Sequence, residues 1–252
     1  MQNLTISIIT VAYNAQDTIE QCLDSVSRQK FKNIQHIVID GGSTDNTVSL
    51  IKQYKDNIDV FISEPDQGIY DAMNKGIARA TGDIIGTLNA DDFLANDDVL
   101  TDVAEVFGRQ NVNILYGNLD FIGPAGQVVR KWRSGKYRSG VKKLNWGWMP
   151  PHPTFYCKRS LFEELGYYKL DYGSAADYEL MLRFFHTIQD DGEVYHLNKV
   201  VVKMLIGGVS NNNLRNRLKA LRFDFKAMRN NRILFPYFTV IIKPLRKIVQ
   251  FF

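Results

Sequence analysis

The sequence holds little cysteine, no long apolar run and none of the glycine motifs that usually cradle a nucleotide. Two cysteines among 252 residues, Cys22 and Cys157, do not make a disulfide framework. Both stand among apolar neighbours, which points to buried thiols and, with them, to a reducing compartment. No stretch of about 18 apolar residues occurs, so no membrane-spanning helix is expected. The N-terminal stretch lacks the basic and long apolar segments of a signal peptide. A cytoplasmic location, extending to the inner face of the cell membrane, is therefore expected. The spacing G-x-G-x-x-G is absent, which weighs against a dinucleotide oxidoreductase. The phosphate-binding loop G-x-x-x-x-G-K-[ST] is absent too, which weighs against an ordinary NTPase. No His/Cys cluster has zinc spacing, and no internal repeat or low-complexity linker is present.

What the chain does have is enough apolar residue, 45%, for one substantial core. Its charge is uneven. Residues 214–252 carry ten Lys or Arg and a single acid, Asp224, whereas residues 1–213 carry 21 basic and 26 acidic residues. The periodicity predicts strands over 4–13, 34–40, 60–63, 83–88 and 113–122. Helices are predicted over 17–29, 43–54, 69–80 and 96–108, the first with a capping box from Asp17 to Glu20 and the second with a Ser or Thr cap. This alternation implies an α/β/α sandwich around a mixed, mainly parallel sheet. Residues 123–153 read as a loop region. Further helices are expected over 159–168 and 175–186, two strands within 194–208, and a basic amphipathic helix over 213–231. The division expected is one domain over 1–212 and a basic C-terminal extension over 213–252.

Ligands of an open α/β sheet collect beyond the C-terminal strand ends, and four polar clusters fall there. They are Tyr13-Asn14, Asp40-Gly41-Gly42-Ser43, Glu64-Pro65-Asp66-Gln67-Gly68 and Asn89-Ala90-Asp91-Asp92. Two adjacent carboxylates after an apolar strand suit either a helix cap or a hard cation such as Mg²⁺ or Mn²⁺. Two glycines at 41 and 42 permit close backbone approach, and Asp40 suits an N–H or O–H donor better than a phosphate.

The stretches over 6–26, 36–47, 63–94, 152–168 and 175–183 resemble, in order, a family 2 glycosyltransferase with the GT-A fold. The resemblance covers roughly residues 4–186. It implies an inverting transfer of sugar from a nucleotide donor, commonly UDP-linked, to a glycan or lipid-linked acceptor, as in bacterial surface polysaccharide synthesis. On this resemblance Thr10, Ala12 and Asn14 line the nucleotide pocket and Asp40 binds the base. Asp66, Asn74 and Lys75 sit near the ribose or diphosphate. Asn89-Ala90-Asp91 stands at the family's DxD motif, so Asp91 is the metal ligand and Asp92 the alternative. Asp177 takes the place of the catalytic base, and His152 lies where acceptors bind. Apart from the resemblance, Trp146 and Trp148 suit either a platform that stacks on a sugar ring or lipid, Trp148 being the acceptor candidate, or plain packing of the loop. Glu179 is expected at the surface. Three positions depart from the family: Gly41 and Asn89 replace acids, and Ala176 replaces a Glu.

Mechanistically, a divalent ion offsets charge on the leaving diphosphate while a carboxylate deprotonates the incoming hydroxyl. Other readings are a non-catalytic nucleotide-sugar-binding subunit and a nucleotidyltransferase, although the loop after the first strand lacks the Gly-rich basic pattern of the latter. On the tail, Leu214, Leu218, Leu221, Phe225 and Met228 form a stripe that fits either an anionic membrane surface or the body of the protein. Nucleic acid explains the tail but not the strand-end acids. A homo-oligomer is compatible with all of this.

Overall fold

The computed structural model describes residues 4–109, 111–137, 142–206 and 214–245. Four parallel strands form one half of the sheet: β1 (Ile6–Ala12), β2 (Ile34–Asp40), β3 (Val60–Ser63) and β4 (Ile84–Asn89), in the order β3-β2-β1-β4. Every residue of β1 is buried, as a parallel strand covered on both faces requires. The cover comes from α1 (Ile19–Ser27), α2 (Thr47–Gln53), α3 (Ile69–Ile77) and α4 (Val99–Arg109). Alternate side chains point to opposite faces. Ile9, Val11, Ile37 and Ile39 therefore meet Ala72, Met73 and Ile77 of α3, while Ile6 and Ile8 meet Cys22 and Val26 of α1 and Val103 of α4.

The sheet continues through β5 (Asp92–Leu94), β6 (Ile114–Ile122), β7 (Val128–Trp132), β8 (Phe155–Lys158) and β9 (Val194–Leu205). Beyond β4 the order is β8-β6-β9-β5, with β7 hairpinned on β6. β8 runs antiparallel to both β4 and β6, and β6 runs parallel to β9, so the whole is mixed. Helices α5 (Lys142–Asn145), α6 (Arg159–Leu165), α7 (Ala176–Phe185), α8 (Leu214–Asn230) and α9 (Pro236–Leu245) complete the chain.

Several local expectations are corrected. α1 starts at Thr18 without a side-chain cap, so Asp17 and Glu20 form no capping box. α2 has Asn46 at its N-cap, and it is Asp45 Oδ1 that accepts the Thr47 N–H. Residues 123–153 contain β7 and α5 rather than loop alone. The described part of the 194–208 stretch gives one strand, Val194–Leu205, whose register slips between Tyr116 and Leu119 of its partner, which absorbs the irregularity that reads as a break in sequence. The expected boundary after residue 212 lies outside the described residues. The α8–α9 hairpin packs on the body: Ala227 and Met228 are fully buried in the same core cluster as α7.

Candidate active site

Register explains why the polar loops share a rim. Ala12 lies opposite Asp40, Asp40 opposite Ser63, and Val11 opposite Asn89. The four parallel strands thus end at one level, and their loops leave the sheet together.

The loop after β2 is tied by buried bonds. Asp40 is fully buried. Its Oδ2 accepts from Gly42 N–H (3.1 Å), Ser43 N–H (3.0 Å) and Ser63 Oγ (2.7 Å), and its Oδ1 from Ser43 Oγ. Asn14, held at φ +46°, accepts from Thr44 N–H at 2.9 Å through its Oδ1, and its own N–H donates to Ser43 Oγ at 2.8 Å. Thr10, expected in the pocket, is buried beneath it against His36 Nε2 at 2.9 Å. Ala12 is buried at the end of β1. The Asp66 carboxylate lies against Gly41: a Cβ there would stand 2.3 Å from its Oδ2. Lys75 Nζ donates to Pro65 O at 2.9 Å and pairs with Glu64 at 2.8 Å, which pins the 64–68 loop.

At the end of β4 the turn Asn89-Ala90-Asp91-Asp92 separates its two acids. Asp91 is half-buried, and desolvation pushes its carboxyl up from the usual range. Asp92, expected as an alternative ligand, is instead fully buried behind the turn and accepts from Asn89 Nδ2 at 3.0 Å. Burial, with the Asp91 charge added, pushes Asp92 well up. Asn89 Oδ1 and Asp92 Oδ1 are buried oxygens without a partner. Beneath them the Cys22 thiol, itself buried, donates to Asn89 O.

A second cluster gathers around Asp177, in the first turn of α7, where the helix N-terminus suits a negative charge. The Tyr70 phenol lies against the Asp177 carboxylate. Burial first, and the Asp177 charge second, hold that phenol well above its ordinary range, so it stays a donor. Tyr168 stacks on Tyr70 with ring centres 5.4 Å apart, and its hydroxyl is 2.6 Å from His152 Nε2. Burial lowers the His152 pKa against the opposing pull of Asp177. The Tyr168 hydroxyl also reaches the Thr87 side chain, on β4 two residues before Asn89. Asn74 clamps the Tyr168 backbone in both directions, N–H to Oδ1 and Nδ2 to O, each at 2.9 Å.

Tyr70, Tyr168 and Thr87 escape the sequence reading. The signal for Tyr70 was there: a tyrosine one helical turn before Asn74 on α3. Two assignments change. Glu179 is buried rather than on the surface, and bonds Lys169 and Arg183. Trp148 is buried, with its Nε1 donating to Ser134 O at 2.8 Å, so it is a pillar of the core rather than a platform. A hollow of about 750 Å³ lined by Leu4, Asp83, Phe107 and Lys158 lies at the opposite strand ends and contains none of the candidate residues.

Comparison with known proteins places this arrangement. The model for glycosyl transferase family 2 matches residues 7–166. An uncharacterised glycosyltransferase of Mycobacterium tuberculosis is 36% identical over 189 residues, covering 71% of this chain and 68% of that protein. S. aureus TarS 1–349 in complex with UDP superposes with a TM-score of 0.69 at 18% identity, covering 90% of this chain and 66% of that one. A glucosyl-3-phosphoglycerate synthase from Mycobacterium tuberculosis, in complex with Mn²⁺, UDP and glucosyl-3-phosphoglycerate, gives 0.65 at 18% identity, with 91% and 81% covered. The solved structures show a common GT-A-type fold, and the sequence matches go further: the chain belongs to glycosyl transferase family 2.

Proposed function

We propose that this glycosyltransferase moves a sugar from a nucleoside diphosphate sugar, UDP-linked, to a hydroxyl of a glycan or lipid-carried acceptor, with inversion. Asp177 acts as the general base. One observation carries the reading: the His152–Thr154 turn packs against β4, the strand whose end bears Asn89 and Asp91, and its His152 meets Tyr168 of the cluster around Asp177. Donor rim and candidate base are thereby parts of one region.

An inverting transfer needs a base on the face opposite the leaving group. The Asp177 carboxylate takes the proton of the acceptor hydroxyl as that oxygen attacks. Tyr70, donating to the carboxylate, fixes its direction, and His152 stands beside the incoming hydroxyl. On the donor side Asp66 offers a carboxylate to ribose hydroxyls over Gly41, and Ala12 and Ala90 keep the floor narrow. Asp40, Asn14, Lys75 and Asn74 are positioning residues whose bonds hold the loops that touch the nucleotide. Residues 1–212 make the catalytic domain and 213–252 its basic extension.

Asp91, half-buried at the end of β4, offers a carboxylate oxygen, the kind of donor that fits Mg²⁺ or Mn²⁺. Among the described residues no three His, Cys, Asp or Glu form a metal cluster. That agrees with an ion held by one carboxylate and completed by substrate phosphates. Asp91 would hold the ion, which when bound supplies positive charge against the departing diphosphate. Mn²⁺ with UDP in the synthase and UDP in TarS support this choice.

The test is release of nucleoside diphosphate from a panel of nucleotide sugars with Mn²⁺ or Mg²⁺. Asp177→Asn is expected to keep donor affinity and lower transfer by about 10²–10⁴-fold. Asp91→Ala is expected to lose metal-dependent turnover with its melting temperature retained. Undiminished transfer by Asp177→Asn overturns the base assignment. A wild-type chain that binds donors but turns over none of them is a binding subunit.

A further inference from the structure

The tail is not used in the way its α8 stripe suggests. Met228 is fully buried, and Phe225 packs on Tyr237 with ring centres 4.7 Å apart. Leu218 and Leu221 stay exposed, so the stripe is split between core and surface. The larger exposed apolar surface belongs to α9 and the turn before it. Leu234 (65% exposed), Phe235 (64%), Tyr237 (76%) and Ile241 (64%) project outward, and Phe238 packs edge-on against Trp146. Four such residues within eight positions are far more than isolated surface hydrophobics.

Charge decides what covers them. Arg229 and Arg232 are exposed at the same turn, where the chain reverses through Arg232 at φ +55°. Lys219 and Arg222 are exposed further along α8. The one acid of 214–252, Asp224, is turned inward onto Lys243 Nζ at 2.6 Å. A second copy of the chain would bring this positive surface against itself across a two-fold axis. A bilayer with anionic headgroups satisfies both features, accepting the aromatic and aliphatic side chains at the interface and pairing the arginines with phosphate.

We propose that α9 and the 233–235 turn form a docking surface for an anionic lipid bilayer, and that this surface positions the acceptor side of the active site. The second half rests on the proposed function. The link is covalent and packed. Thr239 Oγ1 donates to Asn145 O, and Leu234 N–H donates to Asn145 Oδ1 at 3.0 Å. The Lys243 backbone comes so close to Gly147 that a Cβ there would be 3.0 Å from Lys243 Cα. From Gly147 five residues lead to His152, beside Tyr168 and within the field of Asp177. An acceptor carried on a lipid thus meets the site from the side that faces its membrane.

The test is co-sedimentation of the full chain with vesicles of phosphatidylglycerol and phosphatidylcholine, beside phosphatidylcholine alone. The wild type is expected to bind the anionic vesicles, and raised salt is expected to weaken that binding. The triple variant Phe235→Ser, Tyr237→Ser, Ile241→Ser is expected to bind about tenfold more weakly. Arg229→Gln with Arg232→Gln, exposed changes that leave the apolar surface intact, is expected to abolish the preference for anionic lipid. Donor hydrolysis in solution should be unchanged in both variants, so failure of the enzymatic reading and failure of lipid docking are separate results. No vesicle binding by the wild type, equal binding by the triple variant, or a wild-type dimer that the triple variant makes monomeric overturns the proposal.

Discussion

A methyl group at position 41 would take the space that the Asp66 carboxylate now fills. It would stand 2.3 Å from Asp66 Oδ2, so the carboxylate must swing away or the loop must shift. Where family members often carry a second acid after Asp40, this chain has a glycine, and the acid reaching that space belongs to Asp66 instead. Gly41→Ala is therefore expected to weaken donor binding by about tenfold, the order of one lost charge-assisted hydrogen bond. Calorimetric titration with the nucleoside diphosphate checks it, and an unchanged Kd removes Asp66 from the donor site. The residues of this rim were legible in the sequence; their orientations were not. Asp40 and Asn74 look like ligand contacts in a motif, yet each has its polar atoms bonded to backbone or hydroxyl partners of neighbouring loops. Whether a side chain is free to meet a ligand depends on partners as distant as the 94 positions between Asn74 and Tyr168. Spacing along one chain does not carry that information.

At the scale of elements, the contact between α7 and the tail is the most informative. Lys243 of α9 lies over the Tyr178 ring, 3.5 Å from its centre, and pairs with Asp224 of α8; both charged side chains are largely buried. Tyr178 directly follows Asp177, so the tail braces the helix that presents the candidate base. Lys243→Met leaves Asp224 buried without its partner and is expected to lower stability by about 3 kcal/mol. The double variant Lys243→Met, Asp224→Leu should regain most of the loss, as urea denaturation of both chains will report. Long periodic elements such as β1, β2, α1 and α7 were readable because burial on one or both faces imposes a repeat. Among short ones β3 was legible as an apolar run, but β5 and β8 were not. β5 has three residues and β8 four, too few to display a period, and both owe their existence to partners far along the chain, β9 for the first and β4 and β6 for the second. α9 begins at Pro236 and contains Pro244, so its sequence reads as a break although Thr239 and Lys243 hold it against residues 145–147.

For the molecule as a whole, the buried imidazole of His36 weighs on the response to acid. Burial pushes His36 down to about 4, whereas the unfolded chain titrates it near 6.5. Between those values the unfolded state binds a proton that the folded state refuses, so stability falls as pH falls. By pH 5 the loss from this residue alone is about 2 kcal/mol. His152, His186 and His196 are lowered as well and act in the same direction. Asp91 and Asp92, raised by burial, act oppositely: their contribution is present in acid and is lost as pH rises through their folded values. Urea midpoints at pH 7 and pH 5 are expected to differ less in His36→Gln than in the wild type.

Along its main path the sheet ends in β3 with four residues on one side and β5 with three on the other, while β7, paired only with β6 among the described residues, leaves a further edge of five. Unpaired strand edges are templates on which a second chain can add, and such additions propagate into ribbons and insoluble fibres. A terminus three or four residues long exposes too few amide and carbonyl groups to hold a foreign strand in register. The two ends of the wide sheet thus carry little hazard of polymerising, and the edge open to a foreign strand is β7, where Val128 and Val129 are exposed.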